Sequence, residues 1–333
     1  MLIEYVEKIN LAIKEFLSSR KSESQLIMEM LEYNEKFVMS GGKRIRPLLV
    51  ILAYALNKTP DDRIVKAAIS MEFLHNYFLV YDDIMDEAPV RRGFTTVHKY
   101  FETKGKEMRV PKPELFGVSM AILAGGLLKS YAVEALLDSG FPSERVIKAL
   151  KILELATEKT SYGQALDLEM CAVGRIGDIN HYYSVIDNKT AYYTFIAPLQ
   201  IGGILGDLDD NSLHILEKFG LLVGRAFQIQ DDLLDIISPE SGKRPCGDLT
   251  EGKITLPLML CNDERILSLR GKELSDEEIE LVREIVKKSG AEEQTRRIIA
   301  DIIEEARQYL AKLPRGKTQH FEEFLDMLAK RNK

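Results

Sequence analysis

Apolar residues recur along this chain with the period of a helix. In the first segment Ile3, Val6, Ile9, Ile13, Phe16 and Leu17 fall on one face. Two later stretches, "RPLLVILAYAL" and "GLLVGRAFQIQDDLLDII", are apolar on more than one face, as in helices enclosed within a bundle. Helix starts are marked as well. "TPDD" at Thr59 offers a cap followed by proline, and "SDEE" at Ser275 has the Ser-x-x-Glu form of a capping box. "FPSERVIKAL" begins another helix near Ser143. No alternating strand pattern and no strand–helix–strand rhythm interrupts this order. The pattern predicts an all-α fold: one domain over residues 1–333, a single large bundle of about ten to thirteen helices around a central cavity. "ETKGKEMRVPKPE" (Glu102–Glu114) and "SPESGKRPCGDLTEGK" (Ser238–Lys253) read as surface loops.

Composition narrows the function. With 333 residues, 45% of them hydrophobic, the chain can bury a large core. A formal charge of −7 argues against a general nucleic-acid binder. Cys171, Cys246 and Cys261 lie far apart, with no CxxC pair. That spacing offers neither a zinc site nor a disulfide framework, and a reducing, cytoplasmic setting is expected. The start "MLIEYVEKIN" lacks the basic-then-apolar order of a signal peptide. "FGVSMAILAGGLL" and "TAYYTFIAPLQIGGILG" read as core helices, too short or too interrupted to span a bilayer, so a soluble protein is expected.

The chemistry is carried by carboxylates. Asp82, Asp83 and Asp86, in "LVYDDIMDEAPVRRG", form DDxxD inside an apolar helix. Positions four apart lie nearly in line, so Asp82 and Asp86 share a face with Asp83 to one side. Bare carboxylates in such surroundings cost several kcal/mol each in desolvation, so they need cations. The pattern recurs in "FQIQDDLLDII" as Asp231, Asp232 and Asp235. Two such helices facing each other across a cavity would offer all-oxygen ligands suited to Mg²⁺, which completes its shell with water and substrate phosphates. A di-iron bundle is the rival chemistry, and it needs two Glu-x-x-His motifs. Glu72 and His75 supply one. None of His98, His181, His214 and His320 has a glutamate three residues before it.

Cations alternate with these acids. "SGGKRIRPLL" exposes the backbone N–H groups of Gly41 and Gly42 beside Lys43, Arg44 and Arg46, with Pro47 early in the next helix. Backbone donors and fixed positive side chains at a helix start favour phosphate. Arg91 and Arg92 follow the first aspartate cluster, Lys189 and Thr190 stand beside an apolar helix in "DNKTAYYTF", and Lys243 and Lys253 follow the second cluster. A salt-bridge network explains some of this but not two copies of DDxxD. A substrate bearing phosphates explains both signs of charge.

Taken in order, "GGKRIRP", "EFLHNYFLVYDDIMD", "RRG", "GQALDL", "KTA", "FQIQDDLLD" and "GDLTEGKITLP" resemble the trans-type isoprenyl diphosphate synthases, the family of farnesyl and geranylgeranyl diphosphate synthases. The resemblance covers nearly the whole chain. It implies a homodimeric Mg²⁺-dependent prenyltransferase with about three Mg²⁺ per site. It implies that Gly42, Lys43, Arg46, His75 and Arg92 bind isopentenyl diphosphate. It implies that Asp82, Asp83, Asp86, Asp231, Asp232 and Asp235 bind metal, and that Arg91, Lys189, Lys243 and Lys253 grip the allylic diphosphate. Thr190 and Gln228 match polar groups near its reacting end. The allylic C–O bond would ionise, and the double bond of isopentenyl diphosphate would attack the resulting cation.

Tyr77 and Phe78, five and four residues before Asp82, match the floor of the product pocket in this family. Two large rings there favour a C15 product, with C20 next. Where relatives often carry aspartate in "AILAGGLL", Gly126 stands, and Tyr81 stands where histidine is frequent. Three other readings compete: a longer-chain polyprenyl diphosphate synthase, a class I terpene cyclase, and a regulatory subunit of a heteromeric synthase. A cyclase has little use for the second phosphate pocket of "GGKRIRP" and Arg92. A silent subunit should have eroded aspartates, and both motifs are intact.

Overall fold

The computed structural model describes residues 2–173, 178–237, 244–314 and 317–329. They form sixteen α-helices, one π-helix and a single two-residue hairpin, so the protein is all-α. The chain divides into two compact units, Met1–Leu153 with Ile201–Asp207, and Glu154–Gln200 with Leu208–Lys333.

Unit 1 contains α1 (Leu2–Ser18), α2 (Gln25–Met39), α3 (Ile45–Ala55), α4 (Asp62–Met85), α5 (Val97–Glu107), α6 (Pro113–Leu137) and the start of α7 (Ser143–Val173). Its centre is α4, which packs on α1, α2, α3, α5 and α6. Every residue from Ala67 to Asn76 is buried, whichever way it faces, as a helix surrounded by others requires. On α1, Ile9, Ile13 and Leu17 are buried, so the stripe read from the sequence is the packing face. Two boundaries differ from the sequence expectation. The α4 cap is Asp61, whose side chain accepts from the N–H groups of Arg63 and Ile64, rather than Thr59. The expected loop Glu102–Glu114 is mostly helix: α5 runs to Glu107 and α6 starts at Pro113. The run "FGVSMAILAGGLL" lies within α6, which has 25 residues. Among the described residues it alone is long and apolar enough to cross a membrane, yet half of its most apolar window is buried.

Unit 2 contains the rest of α7, α8 (Ile179–Ile186), the π-helix (Asp187–Ile196) and the start of α9 (Ala197–Leu205). It continues with α10 (Asp210–Ile237), α11 (Gly247–Thr250), α12 (Leu256–Cys261), α13 (Glu264–Leu269), α14 (Asp276–Lys288), α15 (Ala291–Leu310) and α16 (Gln319–Ala329). Here α10 is central, packed on the π-helix, α8, α11, α12, α14 and α15. Ser275 and Glu278 form the capping box of α14, as the sequence predicts. Each unit is thus built round one long helix, and each of those helices carries DDxxD in its last turns. The C-terminal end of a helix is the negative end of its dipole, which raises the cost of the carboxylates further.

Candidate active site

In unit 1 the turn before α3 is a tight one. Gly41 and Gly42 have φ of +122° and +115°, a backbone that side chains rarely tolerate. Arg44 is left-handed at φ 52° and turns its guanidinium inward. It donates to Asn10 Oδ1 at 2.8 Å, to the Val38 carbonyl at 3.0 Å and to Glu72 Oε1 at 2.5 Å. Arg44 therefore pins the turn to α4, while Lys43 remains exposed. Glu72 is consumed by this ion pair and by Asn76, which disposes of the di-iron reading.

Arg92 lies against the same turn. Its Nη1 donates to the Gly41 carbonyl at 3.1 Å, and its Nη2 is 3.4 Å from His75 Nε2. A Cβ on Gly42 would stand 3.4 Å from Arg92 Nη1. Arginine only donates, so the Arg92 contact suits an unprotonated His75 Nε2. Burial first, then the Arg46, Arg92 and Arg91 guanidiniums, hold His75 well below the usual imidazole value. Gly42, Arg46, His75 and Arg92 are thus gathered round one cationic turn. Arg91 and Arg92 are delivered by the hairpin Val90–Arg91/Phe94–Thr95, an element that the sequence reading did not foresee.

The acids of unit 1 take two roles. Asp82 is partly exposed, and Asp86 is the exposed C-cap of α4. Asp83 is 1% exposed and accepts from Arg91 Nε at 2.6 Å, while Arg91 Nη2 is 3.4 Å from Asp82. Burial pushes the Asp83 carboxyl up to about 6, against the opposing pull of Arg91. Tyr77 and Phe78 lie one turn before Asp82, their ring centroids 4.9 Å apart, with Tyr81 4.7 Å from Tyr77. The Tyr81 hydroxyl donates to the Ile122 carbonyl at 3.2 Å.

In unit 2 Lys189 is set by the π-helix, a geometry that recurs at functional sites. Close backbones enforce its position. A Cβ on Gly163 would lie 2.2 Å from the Lys189 nitrogen, and one on Gly224 would lie 2.4 Å from the Ala191 Cβ. Arg225 clamps the first π-helix residue, Asp187, through two bonds of 2.7 and 2.6 Å. Lys189 Nζ then donates to Asp167 Oδ2 at 2.6 Å, and Lys253 Nζ lies 3.4 Å from the same oxygen. Burial raises Asp167, but the two ammonium groups outweigh it and the carboxyl sits below its usual range. Lys253 is shifted up: burial opposes its charge, and Asp167, Asp248 and Glu251 more than restore it. Asp167, in "GQALDL", joins this cluster, and sequence reasoning quoted it but gave it no role.

Thr190, Gln228, Lys189, Lys253, Asp167 and Asp232 line one cavity of this unit. Thr190 donates to Gln228 Oε1 at 2.7 Å. Asp232 is 3% exposed and both of its oxygens are engaged, by Tyr182 and by Gln228. Burial and the Asp248 and Asp231 charges push its carboxyl up, while those two hydrogen bonds pull the other way. Asp231 and Asp235 are partly exposed; Asp235 also accepts from the N–H groups of Gly247 and Asp248 at the start of α11. Lys243 lies outside the described residues. Among the described residues, no three acids, histidines or cysteines form a metal cage by themselves. Paired carboxylates of this kind, Asp82 with Asp86 and Asp231 with Asp235, suit a hard cation that brings water and phosphate oxygens as most of its shell, as Mg²⁺ does.

An all-α fold in which two apolar core helices end in DDxxD, with clusters of arginine and lysine beside them, is that of a prenyl-transferring diphosphate synthase. The chain belongs to the polyprenyl synthetase family, which matches residues 24–302. It is 31% identical to the geranylfarnesyl diphosphate synthase of Natronomonas pharaonis, over 99% of this chain and 97% of that one. It is 34% identical to the geranylgeranyl diphosphate synthase of Sulfolobus acidocaldarius, over 86% and 83%. Its fold superposes on geranylgeranyl pyrophosphate synthase of Corynebacterium glutamicum, solved with isoprenyl diphosphate and magnesium, with a TM-score of 0.91, 27% identity and 99% of each chain covered. The protein is a prenyltransferase of the short-chain isoprenyl diphosphate synthase type.

Proposed function

We propose that this enzyme couples isopentenyl diphosphate to an allylic diphosphate and releases geranylgeranyl diphosphate, with farnesyl diphosphate as the shorter product. The relatives named geranylgeranyl diphosphate synthase support the longer of the two, while the geranylfarnesyl diphosphate synthase points to a longer chain still. The observation that carries the two-substrate reading is the turn at Gly41–Arg46 with His75 and Arg92: a cluster of cations additional to Lys189 and Lys253. A terpene cyclase, with a single diphosphate, has no use for it.

In this reading Lys43, Arg46, His75 and Arg92 hold isopentenyl diphosphate. Arg91, Lys189 and Lys253 hold the allylic diphosphate, with Lys243 as a further candidate. Asp82, Asp86, Asp231 and Asp235 would hold the Mg²⁺ ions, about three of them. Magnesium, when bound, neutralises charge on the departing diphosphate. The lysines and Arg91 add to that stabilisation at the moment the C–O bond breaks. Apolar walls keep water from the allylic cation, and Thr190 and Gln228 oppose its charge with their oxygens. The pocket arginines hold the attacking double bond within reach. No side chain need act as base, because the released diphosphate can take the proton.

We further read the enzyme as a cytoplasmic homodimer. The exposed side of α6 carries Leu115, Ile122 and Leu123 at 58, 44 and 59% exposure, an apolar stripe suited to a second copy. Incubation with Mg²⁺, labelled isopentenyl diphosphate and each of dimethylallyl, geranyl and farnesyl diphosphate, with the products sized, tests the reaction. Conversion of an allylic substrate without uptake of label would overturn it. Sedimentation of the protein and of Leu123→Arg tests the dimer; a monomeric parent would remove it.

A further inference from the structure

Four side chains of unit 2 form one unbroken hydrogen-bonded chain. Tyr182 donates its hydroxyl proton to Asp232 Oδ2 at 2.5 Å, and Gln228 Nε2 donates to Asp232 Oδ1 at 2.8 Å. Thr190 donates to Gln228 Oε1 at 2.7 Å. The inner members are enclosed, Tyr182 at 1% and Asp232 at 3% exposure. Gln228 and Thr190 are partly exposed at the cavity wall beside Lys189.

The direction of this chain follows from Asp232. Each of its oxygens takes a donor, so the side it turns to Gln228 accepts. The Gln228 amide must then present its NH₂ to Asp232 and its oxygen to Thr190. Thr190 has one proton and spends it on that oxygen, which leaves lone-pair density for the cavity. With the amide reversed, Thr190 would accept from Gln228 and its own proton would be turned outward. The sign of the dipole at the cavity wall is therefore set by a carboxylate that is itself almost fully enclosed.

We propose that Asp232 and Tyr182 are positioning residues: they fix the orientation of Gln228 and, through it, aim the Thr190 oxygen at the carbon where positive charge develops. In this role Asp232 is not a metal ligand, unlike Asp231 one residue before it. The inference rests on the functional reading above, in which an allylic cation forms beside Thr190 and Gln228. It is the counterpart of Asp83, the middle acid of the first motif, which is likewise turned inward, onto Arg91.

The test is a reversal of the chain. Asp232→Asn places an NH₂ opposite Gln228 and forces that amide to flip. We expect kcat to fall about tenfold or more, a loss typical of a disrupted coupled pair. Gln228→Glu on that background lets the introduced amide donate to a carboxylate that again accepts from Thr190, with the total charge unchanged. The double variant should recover kcat to within about threefold of the parent. Calorimetry with Mg²⁺ and inorganic pyrophosphate supplies a readout apart from turnover: Asp232→Asn should bind as the parent does, and Asp231→Asn should not. If Asp232→Asn does not fold, Tyr182→Phe carries the same test, with lowered kcat and unchanged binding of Mg²⁺ and pyrophosphate. A double variant no better than the product of its singles overturns the positioning role. Loss of Mg²⁺–pyrophosphate binding in Asp232→Asn makes it a ligand instead. A parent enzyme that transfers no prenyl group sinks the functional reading as well; an active parent without rescue sinks only this inference.

Discussion

Arg44 and Glu72 form an ion pair of 2.5 Å with side chains only 2 and 3% exposed. It joins the glycine turn before α3 to the middle of α4, the helix that also presents His75 one turn on. Removing one partner leaves the other charged and buried. Arg44→Leu or Glu72→Gln should cost about 3–5 kcal/mol of unfolding free energy in urea. The pair Arg44→Met with Glu72→Leu should cost less than either single change. An exposed neighbour supplies the contrast: Lys43→Ala should leave stability unchanged and raise KM for isopentenyl diphosphate.

His75 should not titrate where a free imidazole does. Its folded value is depressed from 6.5, by burial first and by Arg46 and Arg92 next. The unfolded chain therefore takes up its proton first as pH falls. The stability His75 contributes is complete above about pH 6.5 and is lost as pH drops toward the lower folded value. The ring proton resonance of His75 should stay at its neutral position down through about pH 6.5 in the ligand-free protein. A midpoint there would show that neither burial nor the arginines govern it.

Asp82→Asn and Asp231→Asn should each lower kcat by at least about 10²-fold, as removal of a principal electrostatic stabiliser does. Both should need more Mg²⁺ for half-maximal rate. Chelation of the metal should abolish turnover of the parent and leave its helical circular dichroism intact. An Asp82→Asn enzyme with parental Mg²⁺ dependence would exclude Asp82 from the metal site.

Phe78→Ala and Tyr77→Ala should each lengthen the main product. The two rings meet one turn before Asp82, and Tyr77 also braces Tyr81. Chromatographic sizing of the products decides it, and unchanged length in both variants would move the pocket floor elsewhere.

Gly163→Ala should damage the allylic pocket from a distance. The new Cβ would meet the Lys189 backbone nitrogen at 2.2 Å, which no rotamer change relieves. A loss of stability of about 1–3 kcal/mol is expected, with weaker binding of inorganic pyrophosphate as Lys189 is displaced. Parental melting and parental pyrophosphate affinity would show that α7 and the π-helix can part without consequence.

The sequence by itself determined the helical class, the helix start at Ser143, the cap at Ser275 and both aspartate motifs, because these depend on local period and residue type. It also assembled the order of motifs that marks the family. Only the tertiary structure decided which acid of each motif turns inward. Spacing puts Asp83 and Asp232 to one side of the faces their neighbours share, but does not settle whether that side turns inward; Arg91, Tyr182 and Gln228 are brought to them by the fold. The same holds for Arg44, which reads as one more phosphate cation until Glu72 and Asn10 are seen to claim it. The π-helix left no periodic trace, and its close approach to Gly163 and Gly224 appears only in the fold. Hydrogen-bond partners brought together by packing are a property of three dimensions, and a one-dimensional pattern does not contain them.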